Sequence, residues 1–531
     1  MIIKKISLLI ITQFFVLSIF TQNLLTPGGQ KIENLLQLIN YAYVDSTDEE
    51  RITEAAIVAL LKELDPHSVY IPEKELKKMN EPLIGNFEGV GIQFNILHDT
   101  LVVVSPIPGG PSEKVGIQAG DKIIEVDKEN IAGIGLQNSD VQDKLRGKKG
   151  TKVTVAVKRR GEKDLLKFTI TRDEIPIFSV DASYMVDDEI GYIKINRFAN
   201  KTIDEFRDGL KKLKQKNVKH LILDLRGNGG GYLKSAIQLA DEFLDENKLI
   251  VYTEGLKSPK QEYFTTEKGG FEKGKLVILI DEGSASASEI VSGAIQDFDR
   301  GLIVGRRSFG KGLVQKPFSL IDGSAVRLTI ARYYTPSGRS IQRPYDEGKE
   351  EYYNELTRRY EHGELVTEDS IAFPDSLKFT TLNSKRTVYG GGGIMPDVFV
   401  PIDTSMISDY LSKVTREGLV NEFALEYTQD NREKLIATYP TVSDFKNNFD
   451  AEKELLTAFV DFAAKNEVEK NEEQINTSKT FLLTRLKATI ARNMWDSSAY
   501  YQVISDIDNA LLKAVEEIKS DTFKKEKLVY K

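Results

Sequence analysis

The sequence predicts a multidomain protein of the α/β class, with an α+β content overall. From residue 176 to about residue 401, short apolar runs typical of buried strands alternate with helical patterns, as in a parallel α/β sheet. Residues 87–172 are instead rich in strand patterns and glycine, and the flanking segments on both sides are helical. At 531 residues, the chain is also long for a single domain.

Composition excludes several functional classes. The net charge is −8 at pH 7 and no basic stripe is interleaved with aromatic residues, so we expect no nucleic acid partner. The chain has no cysteine, which excludes disulfides, thiolate catalysis and a cysteine-based zinc site. A hydrophobic content of 40% is sufficient for folded cores.

The N-terminus has the pattern of an export signal. Lys4 and Lys5 precede a mostly apolar run, Ile6 to Phe20, which is short for a membrane span and is followed by polar residues. We expect a signal peptide over residues 1–22 and export to the periplasm or cell envelope of a bacterium. The run lacks a clear small-x-small cleavage site, so membrane contact through an uncleaved signal is left open.

Helical regions are predicted at both ends of the mature chain. Within residues 28–80, apolar residues recur at helical spacing in two segments, and Asp45-Ser46-Thr47 offers caps for the second helix. Residues 402–531 also have a helical pattern, and a helical cap, a dimerisation element and an adaptor site are all compatible with it. Its predicted core positions are Leu425, Leu435, Leu455, Phe459, Phe462 and Trp495.

The stretch from Leu276 to Gln315 carries the candidate catalytic residues. Leu276–Ile280 is a wholly apolar run, which predicts a buried strand. Ser284, Ser286 and Ser288 follow it at a predicted helix start. A serine at such a strand-to-helix turn is exposed and lies near the positive end of the helix dipole.

A serine nucleophile needs a base, and the histidines of this chain are poorly placed for that role. They are His67, His98, His220 and His362. A lysine can replace histidine if burial lowers its pKa from about 10.4 towards about 7–8. Lys311 is flanked by two glycines, which allow a partner serine to approach closely. Gln315 lies four residues later on the same face, where its amide could orient the ammonium group.

Three segments, GSASASEI, FGKGLVQ and DLRGNGGGYL, resemble motifs of the C-terminal processing (tail-specific) serine peptidases. That family uses a Ser–Lys dyad aided by a glutamine, and its nucleophile is the middle serine of the SASAS run. The resemblance therefore implies Ser286 as nucleophile, Lys311 as base and Gln315 as helper. Taken alone, each motif has another interpretation, with Ser284 or Ser288 as a helix N-cap and Lys311 as a surface lysine in a turn.

The glycine loop that follows Leu225 is a candidate anion site. It lies between a predicted strand and a predicted helix, and it lacks the Lys-Ser/Thr pair of a phosphate-binding P-loop. In a Ser–Lys hydrolase the bound anion is the tetrahedral oxyanion. The resemblance assigns one oxyanion donor to Gly230 or Gly231, and we expect the amide of Ala287 to be the other.

Residues 87–172 resemble a PDZ domain. The run Phe87-Glu88-Gly89-Val90-Gly91-Ile92 is similar to the PDZ loop that binds a terminal carboxylate and leads into a strand. We expect Gly89, Val90, Gly91 and Ile92 to bind the peptide, which would add to the sheet edge as an extra strand. The alternative is a small β-module that only docks on the catalytic domain.

The resemblance covers roughly Leu64 to Asp397. It implies a crotonase-like catalytic core over residues 176–401, preceded by the PDZ domain, with a charged and solvated insertion at about 346–370. We therefore expect an exported serine endopeptidase that recognises C-terminal tails of proteins and cleaves with a Ser–Lys(–Gln) site. No cofactor and no metal is expected.

The expected partners are protein or peptide substrates with accessible C-termini, and an adaptor protein or a homo-oligomer is left open. One alternative function is a non-catalytic or adaptor-gated peptide-binding scaffold of the same fold, against which the intact Ser286, Lys311 and Gln315 argue. Another is an acyl-CoA enzyme of the crotonase-like fold, against which the Ser–Lys pair and the PDZ domain argue.

Overall fold

A computed structural model describes residues 26–266 and 269–530 of the chain. The predicted signal peptide, residues 1–22, therefore lies outside the described residues. Within the described ranges, no helix combines the length and the apolar character that crossing a bilayer requires. The described residues form two compact units, one of residues 26–72 with Pro317–Leu328, the other of residues 73–316 with 329–530.

The first unit opens with two helices. Helix α1 (Pro27–Ala42) is capped by the side chain of Thr26. Helix α2 (Glu49–Lys62) is capped by Asp48, whose carboxylate accepts a backbone N–H of the first turn. The cap therefore lies one residue beyond the predicted Asp45-Ser46-Thr47, in keeping with the strong preference for aspartate at this position.

A short strand completes this unit. Strand β1 (Val69–Ile71) pairs antiparallel with residues 325–327. The turn before it is closed by Asp65, whose carboxylate accepts the backbone N–H groups of His67 and Ser68. His67 is thus part of a hydrogen-bonded turn.

The second unit begins with helix α3 (Glu73–Ile84), which leads into a β-module. Its elements are β2 (Asn86–Gly89), β3 (Ile92–Leu97), β4 (Thr100–Pro106), α4 (Pro111–Lys114), β5 (Lys122–Val126), β6 (Glu129–Asn130), α5 (Asn138–Leu145), β7 (Lys152–Lys158), β8 (Leu166–Thr171) and β9 (Asp173–Pro176). The main sheet has the order β3-β4-β5-β7-β8, with β6 beside β5, and β2 pairs with β9 in a separate ribbon. Leu101 and Val103, two residues apart on β4, both face the module's core, as the period of a strand requires.

An α/β core follows the β-module. Its elements are β10 (Val180–Met185), β11 (Ile190–Ile195), α6 (Thr202–Lys214), β12 (His220–Asp224), α7 (Leu233–Asp241), β13 (Leu249–Gly255), β14 (Ser258–Phe264), β15 (Leu276–Ile280), α8 (Ala287–Asp297), β16 (Leu302–Gly305), β17 (Leu313–Ser319), β18 (Ala325–Tyr334), α9 (Lys349–Glu361), β19 (Lys378–Thr380), β20 (Thr387–Tyr389) and β21 (Val398–Phe399). Six strands form one sheet of order β10-β11-β12-β15-β16-β21. All neighbours in it are parallel except β10 and β11.

The C-terminal region is helical, as predicted. Its helices are α10 (Asp409–Arg416), α11 (Leu419–Thr438), α12 (Val442–Asn448), α13 (Ala451–Lys465), α14 (Glu472–Met494), α15 (Ser497–Ile504), α16 (Asn509–Lys519) and α17 (Thr522–Lys525). Four of the predicted core residues, Leu425, Leu435, Leu455 and Phe459, are buried, and Phe462 and Trp495 are partly buried against the helical core. Helix α11 also contacts the β-module, where the carboxylate of Glu422 lies 2.6 Å from the ring of His98.

Both faces of the six-stranded sheet are covered. On one face Ile278 packs with Val291 of α8, and on the other Val277 packs with Leu511 and Ile518 of α16. Burial on both faces explains why these strands are continuous apolar runs. The end of the C-terminal region is therefore part of the packing of the α/β core, which the predicted division at residue 402 did not anticipate.

The charged segment at about 346–370 differs from its predicted solvated state. Helix α9 lies within it, and Tyr352 and Arg359 on that helix are each only 2% exposed. Arg359 is buried because its guanidinium pairs with Glu355 and donates to the carbonyl of Ser308. The expectation of a solvated insertion is wrong for this inner face, since ion pairing allows charged side chains to be buried.

Candidate active site

Ser286 lies at the turn between β15 and α8. It is the N-cap residue of α8, with φ 56° and ψ −109°, a backbone conformation that residues other than glycine rarely adopt. Such strained positions are frequent at functional sites because the surrounding fold has to impose them. The side chain is half-buried, so it is accessible at the mouth of the turn.

The two neighbouring serines have structural contacts. Ser284 donates its hydroxyl to the carbonyl of Leu225, and Ser288 donates its hydroxyl to the carbonyl of Asn228. Both side chains are fully buried. These bonds join the Ser286 turn to the glycine loop, and they leave Ser286 as the accessible serine of the run.

A buried carboxylate connects Ser286 to the lysine segment. Glu289 accepts hydrogen bonds from the backbone N–H groups of Ser286 (2.7 Å), Gly310 (2.7 Å) and Lys311 (2.9 Å), and from the hydroxyl of Ser308 (2.6 Å). Burial raises the pKa of Glu289, and the hydrogen bonds from Ser308 and the three amides offset part of that effect. One carboxylate thus fixes the main chains of both predicted catalytic residues.

A buried tyrosine connects the same two residues from their carbonyl side. The hydroxyl of Tyr333 donates to the carbonyl oxygens of Lys311 (2.8 Å) and Ser286 (3.1 Å). The Lys311 ammonium donates to Oε1 of Gln315 at 3.1 Å. The structure therefore brings Ser286, Lys311 and Gln315 into one hydrogen-bonded assembly.

The three predicted oxyanion residues lie together. Gly230 packs so closely on Ser286 and Ala287 that a side-chain Cβ at Gly230 would lie 2.9 Å from the Ser286 Cβ and 3.0 Å from the Ala287 nitrogen. The Gly230 N–H donates to Oδ1 of Asn228. The amides of Gly231 and Ala287 donate to no acceptor within the described part of the chain. The N–H groups of Gly231 and Ala287 can therefore donate hydrogen bonds to an external anion.

The predicted PDZ residues form the entry to an open sheet edge. Gly89 ends β2, Gly91 has φ +74°, and Ile92 begins β3. The carbonyl of Val90 accepts hydrogen bonds from the N–H and the hydroxyl of Ser112, which fixes the loop. In the described ranges β3 pairs only with β4, so its other edge is available to an added strand.

Sequence reasoning missed Glu289 and Tyr333. A signal for Glu289 was present, because Ser286-Ala287-Ser288-Glu289 has the S-x-x-E spacing of a capping box, in which the glutamate accepts the N–H of the N-cap residue. Tyr333 lies 47 residues from Ser286 along the chain, and no local pattern marks it.

Comparisons with known proteins identify three matched regions. Residues 189–347 match peptidase family S41, and residues 102–159 match the PDZ domain family. Residues 410–496 match a family of unknown function. The peptidase match includes Ser286 and Lys311, and the PDZ match lies within the β-module.

Several curated proteins are similar over much of the chain. The carboxy-terminal processing protease CtpB of Bacillus subtilis is 36% identical over 318 residues, which cover 59% of this chain and 65% of that protein. A carboxy-terminal-processing protease of Bartonella bacilliformis is 39% identical over 314 residues, covering 58% of this chain and 71% of that protein. Among solved structures, a photosystem II D1 C-terminal processing protease is 25% identical and covers 71% of this chain and 94% of its own, with a TM-score of 0.37.

The predicted fold class is confirmed, with a peptidase core, a PDZ domain and helical flanking regions. The predicted family is confirmed as well. Identity of 39% extends over more than two thirds of the Bartonella protein, and the match to the peptidase family contains the serine and lysine that Glu289 joins. The chain belongs to the carboxy-terminal processing proteases of peptidase family S41.

Proposed function

We propose that the protein is an exported serine endopeptidase that captures C-terminal tails of protein substrates and cleaves them at Ser286. The observation that carries this proposal is the shared anchoring of Ser286 and Lys311 by the carboxylate of Glu289 and the hydroxyl of Tyr333. Holding a nucleophile and a base in fixed register is what general-base catalysis requires.

In the proposed reaction, neutral Lys311 accepts the hydroxyl proton of Ser286 as the oxygen attacks the carbonyl carbon of the scissile bond. The amides of Ala287 and Gly231 donate to the oxyanion of the tetrahedral intermediate. Lys311 then passes the proton to the leaving amine, and water hydrolyses the acyl-enzyme by the same route. Gln315 orients the Lys311 side chain through the hydrogen bond to its Nζ.

The PDZ domain supplies substrate capture in this proposal. An extended C-terminal tail pairs with the free edge of β3, and the loop at Gly89, Val90 and Gly91 receives its carboxylate. Ile92 and Phe94 are half-buried against the domain core and offer an apolar surface beside that edge. The preferred tail therefore ends in apolar residues.

The first experiment is cleavage of an unfolded reporter that ends in apolar residues, with wild type and Ser286→Ala compared. We expect cleavage by wild type and none by Ser286→Ala, while Ser284→Ala keeps activity because its hydroxyl has a structural role. Persistent cleavage by Ser286→Ala would assign the nucleophile to Ser284 or Ser288. No cleavage by a folded wild type would favour the peptide-binding scaffold.

A second reporter with a charged tail tests the PDZ domain. We expect its KM to be higher by about tenfold with little change in kcat, because tail binding is remote from the bond that breaks. Equal KM values for the two tails would contradict tail capture by the PDZ domain and favour the docking module.

A further inference from the structure

The glycine loop begins at Arg226, which lies in a network of charges. Its Nε and Nη2 donate to the carboxylate of Asp224 at 3.1 and 2.6 Å. Asp224 is fully buried and also accepts the hydroxyl of Tyr192 at 2.6 Å. Lys194 donates to the carbonyl of Arg226 at 3.0 Å, and its ammonium lies 3.4 Å from Asp224. Arg226, the first residue of the loop, is therefore fixed through both its side chain and its main chain.

The outer face of the same guanidinium is held from the C-terminal region. Nη1 and Nη2 of Arg226 donate to Oδ1 and Oδ2 of Asp508 at 2.8 and 2.6 Å, a bidentate pair between residues 282 positions apart. Asp508 is 19% exposed and is the N-cap residue of α16. It lies beyond all three ranges that match known families.

Asp508 is itself rigidly placed. Its carboxylate also accepts the N–H of Leu511 in the first turn of α16. Leu511 and Ile518 of this helix are buried against the six-stranded sheet. A carboxylate held by a capped and buried helix can fix the position of its partner. Its side chain is already ordered, so forming the bidentate bond costs little conformational entropy.

The charges of this network balance. Asp224 and Asp508 are negative, and Arg226 and Lys194 are positive. Burial by itself would raise the pKa of Asp224, but the charge of Arg226, followed by that of Lys194, brings it well below its usual range. Removal of the Asp508 charge leaves the network with one unpaired positive charge in a partly buried site, which favours displacement of Arg226 towards water.

The rest of the loop is held by neutral and charge-assisted hydrogen bonds. Gly227, Gly230 and Gly231 have positive φ angles and carry no side chain that could anchor them. Asn228 donates to the carbonyl of Ile195 and accepts the N–H of Gly230, Asp281 accepts the N–H of Gly227, and Ser288 donates to the carbonyl of Asn228. Arg226 directly precedes Gly227, so a shift at Arg226 acts on these hydrogen bonds and through them on the Gly231 amide.

We propose that Asp508 is a positioning residue for catalysis, which holds Arg226 and thereby sets the oxyanion-side glycine loop in register with Ser286. This inference rests on the proposed peptidase function. It assigns to the C-terminal helical region a direct part in the geometry of the active site, in addition to its packing.

The test compares Asp508→Asn with Asp506→Asn in the full-length protein. Asparagine is as good an N-cap as aspartate, so Asp508→Asn keeps the cap of α16, while it removes the charge and replaces one of the two oxygens that accept from Arg226 by an NH2 group. Asp506, two residues earlier, is more exposed and pairs with Lys446, so its neutralisation is a matched control. Asp508→Ser is a second variant for the case that Asp508→Asn folds poorly. Serine is also a neutral N-cap, and it brings no N–H group towards Arg226.

Two measurements are made on each variant. For the apolar-tailed reporter, we expect Asp508→Asn to lower kcat about tenfold and leave KM within about twofold, because the oxyanion exists only after attack. By hydrogen–deuterium exchange, we expect faster exchange in the peptide that covers residues 225–232. Asp506→Asn should match wild type in both measurements.

The exchange measurement separates this inference from the proposed function. If wild type does not cleave the reporter, the peptidase proposal fails, and faster exchange in Asp508→Asn than in Asp506→Asn would still support the positioning of the loop. Equal exchange in the two variants overturns the inference, whatever the activity. A change of KM in place of kcat in Asp508→Asn also overturns it.

Discussion

Two loops flank Ser286, and they are anchored by different chemistry. The lysine loop, residues 308–311, is held by hydrogen bonds to Glu289, which lies on the helix that Ser286 caps. The glycine loop, residues 226–231, is joined to the same turn by Ser284 and Ser288, and its root is held in addition by ion pairs with Asp224 and Asp508. The lysine loop is thus registered to Ser286 by one local carboxylate, whereas the glycine loop has a further anchor from the C-terminal end of the chain.

This difference has a physical consequence. The Glu289 carboxylate is fully buried, so salt in the solvent has little effect on its hydrogen bonds. The pair between Arg226 and Asp508 is partly exposed, with 21% and 19% of the side chains accessible, and is more open to screening. In the proposed mechanism, substitutions that disturb the lysine loop should affect proton transfer. Substitutions that disturb the glycine loop should affect stabilisation of the oxyanion.

The strongest test of the lysine side is Lys311→Met, which keeps the length of the side chain and removes its base. We expect kcat to fall by at least about 1000-fold, since general-base catalysis is lost. The rising limb of the pH–rate profile, in which deprotonation of Lys311 activates the enzyme, should disappear with it. Lys234→Met removes an exposed lysine from α7 and should behave as wild type. Substantial residual activity with an unchanged rising limb would show that another group is the base.

A smaller effect is expected for Glu289→Gln. One carboxylate oxygen becomes an NH2 group that faces N–H donors, so the main chains of Ser286 and Lys311 lose part of their common anchor. We expect kcat to fall by about 100-fold, as for loss of one oriented polar contact in an active site. The comparison predicts that loop 225–232 keeps its wild-type hydrogen exchange in this variant. Faster exchange there would mean that the two loops are not anchored independently.

Glu289 also has a pH signature. Its folded-state pKa is raised by burial, so the folded state binds this proton more tightly than the unfolded state. Its contribution to stability is therefore present below the unfolded pKa and is lost as the pH rises through the folded pKa. Activity has the opposite dependence, because protonation removes an acceptor from the anchored amides. In wild type, kcat should therefore decline on the acidic side more steeply than protonation of Lys311 alone requires and without loss of the folded state, as judged by near-UV circular dichroism, and this additional decline should be absent from Glu289→Gln.

The sequence predicted the local geometry of the site well. The strand Leu276–Ile280 has its predicted bounds, and a helix begins within the serine run as predicted. Both have strong periodic patterns and end at clear breaks, and such patterns are set by short-range burial. The assignment of Ser286, Lys311 and Gln315 came from the resemblance, and their catalytic roles are still predictions.

The contacts that bring the loops together could not be predicted in this way. The bond between Arg226 and Asp508 joins residues 282 positions apart, and although Arg226 lies in the DLRGNGGGYL motif, no pattern marks Asp508 as its partner. The burial of one face of α9 was not predicted, because the charged composition of this segment was interpreted as solvent exposure. Arg359 is buried by its partners, Glu355 and the carbonyl of Ser308, which a single sequence does not reveal.

Arg359 provides the mildest test of the comparison, because it supports the lysine loop from outside. Its Nη1 donates to the carbonyl of Ser308 at 2.8 Å, three residues before Lys311. We expect Arg359→Met to lower kcat about fivefold, since Glu289 still holds the amides of the loop and one external hydrogen bond contributes about 1 kcal/mol. The neighbouring Arg358→Met is the matched control, because Arg358 is 40% exposed and pairs with Glu351 at the surface.

The two arginine variants are compared by steady-state kinetics and thermal unfolding. If Arg359→Met lowers kcat while Arg358→Met does not, helix α9 supports the base as a third anchor, and the lysine loop has both a local and a more distant restraint. If both variants match wild type, Glu289 alone sets the lysine loop, and the contrast with the glycine loop becomes sharper. A fall in kcat together with faster exchange at residues 225–232 would contradict the separation of the two loops, because Arg359 bonds to Glu355, Ser308 and Phe309, on the lysine side of Ser286.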